Sequence, residues 1–282
     1  MGKRLGVRRL EAVMDNLLDH APLNGINGSQ FVLCDPDRYH LEEYFGQKPH
    51  VAGVMNVTSS VHFEALGTNA STDDITFSST IAGLQLQTDG SDNDSVIILP
   101  RIAPANITAW SGCKWGTENQ VQFETLVRTD ASIADMCFYA GLKLTNTEVY
   151  ATDANQAYFL YDTSDDSGAL TTNGNLHFVV SIGGTDFVTD LGITIAAATN
   201  YRLGISIDSA RKVSAYVNGV QYSLSQAGTA GGATVSPAKG EQKSLALTDD
   251  IDLIPYVGVK ARGGAAKTLH LSYEKISRII FE

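Results

Sequence analysis

The chain has 282 residues, a formal net charge of −11 and a hydrophobic share of 43%. An acidic chain lacks the clustered Lys and Arg that general binding to nucleic-acid phosphates requires, so we expect no nucleic-acid partner. No run approaches the roughly 18 apolar residues of a membrane span and no apolar signal-peptide core follows the N-terminal basic residues, so neither a membrane contact nor export is predicted.

The N-terminal segment predicts an amphipathic helix over about residues 4–21, because apolar side chains recur there at alternating steps of three and four. Such a stripe packs against its own chain or against a neighbouring subunit. We therefore predict an N-terminal arm over residues 1–49 that serves docking or oligomerisation. Its predicted partner-binding residues are Arg4, Val7, Arg8, Leu10, Met14 and Leu17. After this helix, "FVLCD" predicts a strand and "PDRYHLEEYFG" predicts a turn that leads into a brief helix.

Beyond about residue 50 the pattern changes to short runs of alternating apolar and polar residues, such as "VHFEALG" and "GLQLQTDG". These runs are flanked by Gly, Asn, Asp and Ser residues. Many short strands with turn signals between them are typical of an all-β sandwich or barrel. We predict one such domain over residues 50–282.

The most regular stretch, residues 201–224, predicts two consecutive hairpins. In "YRLGISID" the residues Leu203, Ile205 and Ile207 share one face of a strand. The pair Asn218-Gly219 suits the positive φ angles of a two-residue hairpin turn. Asp208 is interpreted as a turn-forming residue.

This double hairpin resembles a recurring segment of the concanavalin A-like lectins and glucanases and of laminin-G-like domains. "DLIPYVGVKARGGAAKTLHLSYEKISR" resembles the closing pair of strands of the same family. The resemblance implies an antiparallel jelly-roll β-sandwich, a fold that hosts enzymes, lectins and inert modules alike. The matching residues are Tyr201, Leu203, Ile205, Ile207, Asp208, Tyr216, Asn218 and Gly219.

The order of segments also resembles sandwich proteins of tailed bacteriophages, on the N-terminal helical segment, "SVIILPRIAPANITAW", "VQFETLVRT", "ADMCFYAGL" and "YVNG". That resemblance implies a non-enzymatic virion structural protein, either a head decoration (cement) protein or part of a fibre. The expected partners are the major capsid protein or other virion proteins. The expected location is the capsid surface, after synthesis in the host cytoplasm, and the expected assembly is a homotrimer.

The sequence predicts no catalytic residue and no cofactor. A glucanase of this fold carries closely spaced acids on one strand, whereas Glu118 and Glu124 are six residues apart with no acid between them. That separation is roughly 20 Å along a strand, against about 5 Å for a retaining carboxylate pair. We interpret Glu118 and Glu124 as solvent-facing residues. A hydrolase would need carboxylates from different strands. The three cysteines, Cys34, Cys113 and Cys137, match no metal motif.

The alternative function is a carbohydrate-binding, lectin-like module of a tail fibre or adhesin. Trp110 and Trp115 are candidate glycan contacts, although packing in a core or between subunits is the other interpretation of both residues. Two acidic loops offer oxygen ligands for calcium, and the same residues are ordinary turn formers. The candidate metal ligands are Asp89, Asp92, Asp94, Asp162, Asp165 and Asp166.

Overall fold

The computed structural model describes residues 37–51, 60–101, 108–113, 115–164, 170, 172–225 and 242–280. The predicted helix 4–21, with all six partner-binding residues of the arm, lies outside these ranges. So do the predicted strand "FVLCD" and the candidate ligands Asp165 and Asp166. The helices within the described ranges are too short to cross a bilayer.

In the described part of the chain, sixteen strands form two eight-stranded sheets. Sheet A contains β1 (Arg38–Glu43), β4 (Ile75–Phe77), β5 (Leu84–Gln87), β7 (Gln122–Thr129), β12 (Asn200–Ile207), β13 (Val213–Val217), β14 (Val220–Tyr222) and β16 (Thr268–Ile279). Sheet B contains β2 (Pro49–Val51), β3 (Ser60–Leu66), β6 (Ser95–Pro100), β8 (Met136–Lys143), β9 (Gln156–Asp162), β10 (Asn175–Ile182), β11 (Thr185–Thr194) and β15 (Ile254–Ala261). A 3₁₀ turn (Thr72–Asp74) and a short helix, α1 (Ala109–Gly112), lie in connections.

The strand order of sheet A is β14-β13-β12-β7-β16-β5-β4, with β1 also paired to β16. The strand order of sheet B is β11-β10-β9-β8-β15-β6-β3-β2. The described pairs are antiparallel, except that β2 and β3 run parallel. The predicted all-β jelly-roll sandwich is therefore confirmed.

The core lies between the two sheets. Phe123, Leu203 and Ile276 from sheet A share one buried cluster with Phe138 and Phe159 from sheet B. Successive side chains of a strand point to opposite faces, so these alternate positions form the inner faces of the sandwich. Each such side chain contributes about 1.5–3 kcal/mol by its burial.

The predicted double hairpin is confirmed. Leu203 pairs with Val217 between β12 and β13, and Val217 pairs with Val220 between β13 and β14. Asn218 and Gly219 have φ angles of 52° and 83°, which is the left-handed conformation that this turn requires. The Asp208 carboxylate accepts hydrogen bonds from backbone N–H groups of the turn that follows it, so its role is architectural.

The segment "PDRYHLEEYFG" differs from its prediction, because it contains strand β1 and not a brief helix. All six residues of β1 pair with β16, from Arg38 opposite Ile279 to Glu43 opposite Glu274. Pairing to a distant strand overrides the local helical pattern. Residues 38–43, which the sequence analysis assigned to the arm, are therefore part of sheet A.

Two glycine pairs lie in connections between strands, and only one of the two forms a hairpin. Gly183 and Gly184, with φ angles of 58° and 84°, join β10 to β11, a strand that the sequence analysis did not predict. Gly263 and Gly264 instead lie in the connection from β15 in sheet B to β16 in sheet A. The predicted closing strands thus belong to opposite sheets.

Glu274 lies on the core side of sheet A, in register with Thr125 and Glu43. Its side chain is fully buried, and among the described residues neither carboxyl oxygen has a hydrogen-bond partner. Burial, with a smaller contribution from the charge of Glu43, raises the pKa of Glu274 well above its usual 4.5. The folded protein therefore holds this carboxyl in its neutral form.

We expect Glu274→Gln to flatten the pH dependence of stability. The stability that protonated Glu274 contributes is complete below pH 4.5 and is lost as the pH rises toward its folded-state pKa. The wild-type free energy of unfolding should thus fall by up to about 1.4 kcal/mol per pH unit between pH 4.5 and the folded-state pKa. Urea unfolding between pH 5 and 8 measures the slope, with the exposed Glu148→Gln as control. Equal slopes in all three proteins would contradict the assignment.

Candidate ligand-binding face on sheet A

The outer face of sheet B is covered near its centre by residues 144–155. The Tyr150 ring stacks on that of Tyr139 with centroids 4.2 Å apart. Asp153 accepts hydrogen bonds from the backbone N–H groups of Leu144 and Thr145 at 2.8 and 2.7 Å. Arg262 donates to the Tyr150 hydroxyl at 3.2 Å. This part of sheet B therefore presents a loop, and not a strand face, to a ligand.

The outer face of sheet A carries a row of charged side chains. Glu42 on β1 pairs in register with Lys275 on β16, which pairs in turn with Glu124 on β7. The three residues alternate with core residues such as Phe123 and Ile276, so they point away from the core. These three and the side chains bonded to them (His40, Tyr44, Arg202 and Tyr273) are called the sheet A network.

Three side chains converge on Glu42 in this network. The His40 Nε2 atom lies 2.8 Å from Glu42 Oε1, the Tyr44 hydroxyl donates to Oε2 at 2.7 Å, and Lys275 Nζ lies 3.3 Å from Oε1. Burial alone would raise the pKa of Glu42, but the bonds from His40 and Tyr44 and the charge of Lys275 lower it overall. Glu42 is therefore held as a carboxylate.

Glu124 forms the other end of the sheet A network. Its side chain is fully buried, accepts a hydrogen bond from the Tyr273 hydroxyl at 2.8 Å, and lies 3.7 Å from Arg202 Nε. Burial, followed by the charge of Glu124, raises the pKa of Tyr273. The hydroxyl therefore stays protonated and donates a hydrogen bond to Glu124. Glu124 is thus held in place by one hydroxyl donor and one cation.

Two tyrosine rings complete the network. The ring of Tyr44, 55% exposed, lies 5.9 Å from the ring of Tyr273, centroid to centroid. Lys275 Nζ lies 5.6 Å from the Tyr44 centroid and 5.0 Å from the Tyr273 centroid. An aromatic face beside fixed hydroxyl and charged groups offers both the apolar and the polar contacts that a sugar ring accepts.

An irregularity in β16 places Tyr273 in this position. The register with β7 shifts between Leu271 and Tyr273, so Leu271 points into the core while Tyr273 points outward. Gly83 lies against the same segment with φ 125°, and a Cβ there would lie 2.1 Å from the Leu271 carbonyl oxygen. Only glycine allows this close approach.

The sequence alone did not predict the sheet A network. The alternation in β16 was visible, but it does not show that a bulge reverses the side on which Tyr273 lies. No site was predicted at His40, Glu42 and Tyr44, because their segment was predicted to form a turn and a brief helix. A strand prediction there would have placed His40 and Glu42 on one face.

The structure places the two predicted glycan contacts, Trp110 and Trp115, in the core. Trp110 is 4% exposed and packs on Phe63, with ring centroids 4.9 Å apart. Trp115 is fully buried, and its indole N–H donates to the Trp110 carbonyl oxygen at 2.8 Å. A sugar cannot stack on rings that protein already covers, so core packing is the interpretation that the structure supports.

The described acidic residues do not form a metal cluster. Asp94 is buried and accepts hydrogen bonds from Ser91 N and Asn69 Nδ2, as a turn residue does. Asp162 is buried and pairs with Arg262. Asp89 and Asp92 are exposed. Within the described ranges, no three His, Cys, Asp or Glu side chains lie close enough together to hold a metal ion.

The interpretation of Glu118 and Glu124 as solvent-facing residues of one strand is corrected for Glu124. Glu118 lies in a turn, whereas Glu124 on β7 is fully buried by the sheet A network. The structure does bring carboxylates from different strands, Glu42 and Glu124, to one face. Lys275 on β16 pairs with both and therefore lies between the Glu42 and Glu124 carboxylates.

No protein-family model and no curated protein matches the sequence. Among solved structures, a protein of unknown function from Shewanella oneidensis MR-1 matches over 99% of this chain and 96% of its own, with 10% identity and a TM-score of 0.50. The potassium-bound carbohydrate recognition domain of Emp46p matches over 83% and 97%, with 8% identity and a TM-score of 0.49. Alginate lyase A1-II′ matches over 78% and 96%, with 11% identity and a TM-score of 0.47.

The likeness to the Shewanella protein concerns the fold alone, a sandwich of two β-sheets, and such a fold serves unrelated functions.

We expect Tyr273→Phe to destabilise the protein by about 1.5–3 kcal/mol, because it removes a hydrogen bond to a buried carboxylate. Tyr44→Phe removes the corresponding bond to Glu42 at an exposed position and should change stability by about 0.5 kcal/mol or less. Urea unfolding at constant pH measures both free energies of unfolding. An equal loss in the two variants would contradict the larger contribution to stability that we assign to the hydrogen bond from Tyr273 to Glu124.

Proposed function

We propose that the protein is a non-enzymatic binding protein whose sandwich contacts carbohydrate through the outer face of sheet A. The observation that carries the proposal is the exposed ring of Tyr44 beside Tyr273, with the Glu42 carboxylate and the Lys275 ammonium fixed next to it. A sugar presents an apolar C–H face and several hydroxyls, which match an aromatic ring bordered by oriented polar groups.

The state of the carboxylates supports binding and not hydrolysis. A glycosidase acid must carry a proton near neutral pH, which requires a raised pKa. The pKa of Glu42 is lowered, and three side chains already contact its oxygens. Glu124 is fully buried, so a glycosidic oxygen cannot reach it. Neither carboxylate suits the role of general acid.

We expect Tyr44→Ala to weaken glycan binding by about tenfold or more, because it removes the exposed stacking surface. A glycan array followed by calorimetry on the hits measures the loss. Phe77→Ala is the matched control, since Phe77 is equally exposed (55%), lies on β4 outside the sheet A network and should leave binding unchanged. Binding that survives Tyr44→Ala unchanged would remove sheet A as the site. Loss of binding in EDTA would show that binding requires a metal ion and would contradict a site made by the sheet A network alone.

The expected role as a virion structural protein remains a second proposal, in which the N-terminal arm attaches a decoration protein to the head shell of a tailed bacteriophage. The specific support is strand β1, which follows the arm directly and is anchored to β16 by six paired residues. A homotrimer of the 30.2 kDa chain belongs to the same proposal and can be tested by light scattering.

We expect deletion of residues 1–30 to abolish co-sedimentation with phage heads while the sandwich keeps its melting temperature, because the deletion removes the predicted apolar stripe and leaves β1 intact. Leu10→Asp in the full chain should weaken co-sedimentation in the same way, since Leu10 belongs to that stripe. Asn16→Asp, on another face of the predicted helix, is the matched control. Unchanged co-sedimentation of the truncated protein would refute attachment through the arm.

A further inference from the structure

A row of register partners crosses sheet A at right angles to its strands. Tyr216 on β13 pairs with Gly204 on β12, which pairs in turn with Glu124 on β7. The row continues from Glu124 through Lys275 on β16 to Glu42 on β1. These five residues are called the transverse row. At about 4.8 Å between neighbouring strands, its two ends lie roughly 19 Å apart, which is much longer than one sugar ring.

An aromatic ring lies at each end of the transverse row. Tyr44, whose hydroxyl donates to Glu42, is 55% exposed, and Tyr216 is half-buried. Tyr216 lies between the core residues Ala215 and Val217 of β13, so its side chain points outward. The outer face therefore has two separate stacking surfaces, and a single sugar ring cannot contact both of them.

The surface between the two rings combines apolar and polar groups. Leu126 on β7 is half-buried and pairs in register with Arg202 on one side and with Tyr273 on the other. Arg202 Nε lies 3.7 Å from Glu124, so the Arg202 side chain extends toward the transverse row. A chain of sugar units presents C–H faces and hydroxyls in alternation, and this surface offers contacts for both.

The charges of the sheet A network cancel within it. Glu42 lies 3.3 Å from Lys275, and Glu124 lies 3.7 Å from Arg202, so two acids face two cations. These four side chains carry no net charge that would attract an ionic ligand. The whole chain carries a formal net charge of −11, which repels anionic glycans at long range. The electrostatics therefore favour an uncharged ligand.

We propose that the ligand of sheet A is an extended, uncharged glycan chain that lies along the transverse row from Tyr44 to Tyr216. This inference rests on the proposed carbohydrate function and adds the length, the direction and the charge of the ligand. The two rings stack on the ends of the bound segment, and the polar side chains between them bond to its hydroxyls. Affinity then rises with chain length until the ligand reaches Tyr216.

Binding to a size series of glycans tests the length and the charge of the ligand. The probes are homo-oligosaccharides from monosaccharide to hexasaccharide, in neutral, uronate and sulphated forms, on an array followed by calorimetry. We expect a neutral hexasaccharide to bind about tenfold more tightly than the disaccharide of the same sugar, and more tightly than its charged counterparts.

Two other outcomes of this experiment can be told apart. Equal affinity of disaccharide and hexasaccharide, or a preference for the charged forms, would overturn the extended, uncharged ligand and leave carbohydrate binding intact. If no member of the series bound, the proposed carbohydrate function itself would be refuted, and this inference with it.

The variant Tyr216→Ala distinguishes an extended ligand from a small one. It should weaken binding of the hexasaccharide by about tenfold, because it removes one stacking surface, and leave binding of the disaccharide at Tyr44 unchanged. Tyr44→Ala should weaken binding of both. Val220→Ala is the matched control, since Val220 is 53% exposed in the same hairpin but pairs with the core residue Val217, on the other side of the sheet. Loss of hexasaccharide binding in Tyr44→Ala alone would contradict the extended path.

Backbone amide NMR of the wild-type protein tests the direction of the ligand without a substitution. We expect the hexasaccharide to shift the amide signals around Tyr216, Glu124 and Glu42, which lie on three strands. The disaccharide should shift only the signals near Glu42. A ligand that lay along a strand would instead shift consecutive signals of β7 from Gln122 to Thr129, and that pattern would overturn the proposed direction.

Discussion

The pairing of β16 with three other strands is the constraint on which sheet A depends. Its twelve residues pair with β7 along most of their length, with β5 through Thr268–Leu271 and with β1 through Glu274–Ile279. The bulge after Leu271 separates the two halves and reverses the side on which the following residues point. One consequence is the outward position of Tyr273. The other is the buried position of Glu274, which the sheet accommodates only as a neutral carboxyl.

The sheet A network is organised before any ligand arrives. Its acids and cations bond to one another, so Glu42 and Lys275 have defined positions and the ring of Tyr44 stays exposed beside them. A surface that is already ordered loses little conformational entropy when it binds, and this favours recognition of a polar ligand. The same mutual pairing occupies the carboxylates that a hydrolase would have to use.

Sheet A also separates two surfaces of the molecule. The network faces outward from β1, β7, β12 and β16, whereas a cavity beside Cys113 opens on the core side where β1 and β16 meet. The outer face and the cavity are therefore separate surfaces. Strand β1 takes part in both, because successive residues of a strand point to opposite faces: His40 and Glu42 to the network, Tyr39 to the cavity.

The sequence by itself determined the sandwich and its double hairpin, because alternating residues such as Leu203, Ile205 and Ile207, and the turn Asn218-Gly219, depend only on neighbours along the chain. It also lacks the closely spaced acids that a one-strand glucanase site uses. Only the tertiary structure decided that Arg38–Glu43 is a strand, that Trp110 and Trp115 are buried, and that Tyr44, Glu42, Lys275, Tyr273 and Glu124 meet on one face. Those positions depend on contacts between residues far apart in the chain, such as the pairing of Glu42 with Lys275 and of Lys275 with Glu124, and on a bulge that no local pattern encodes.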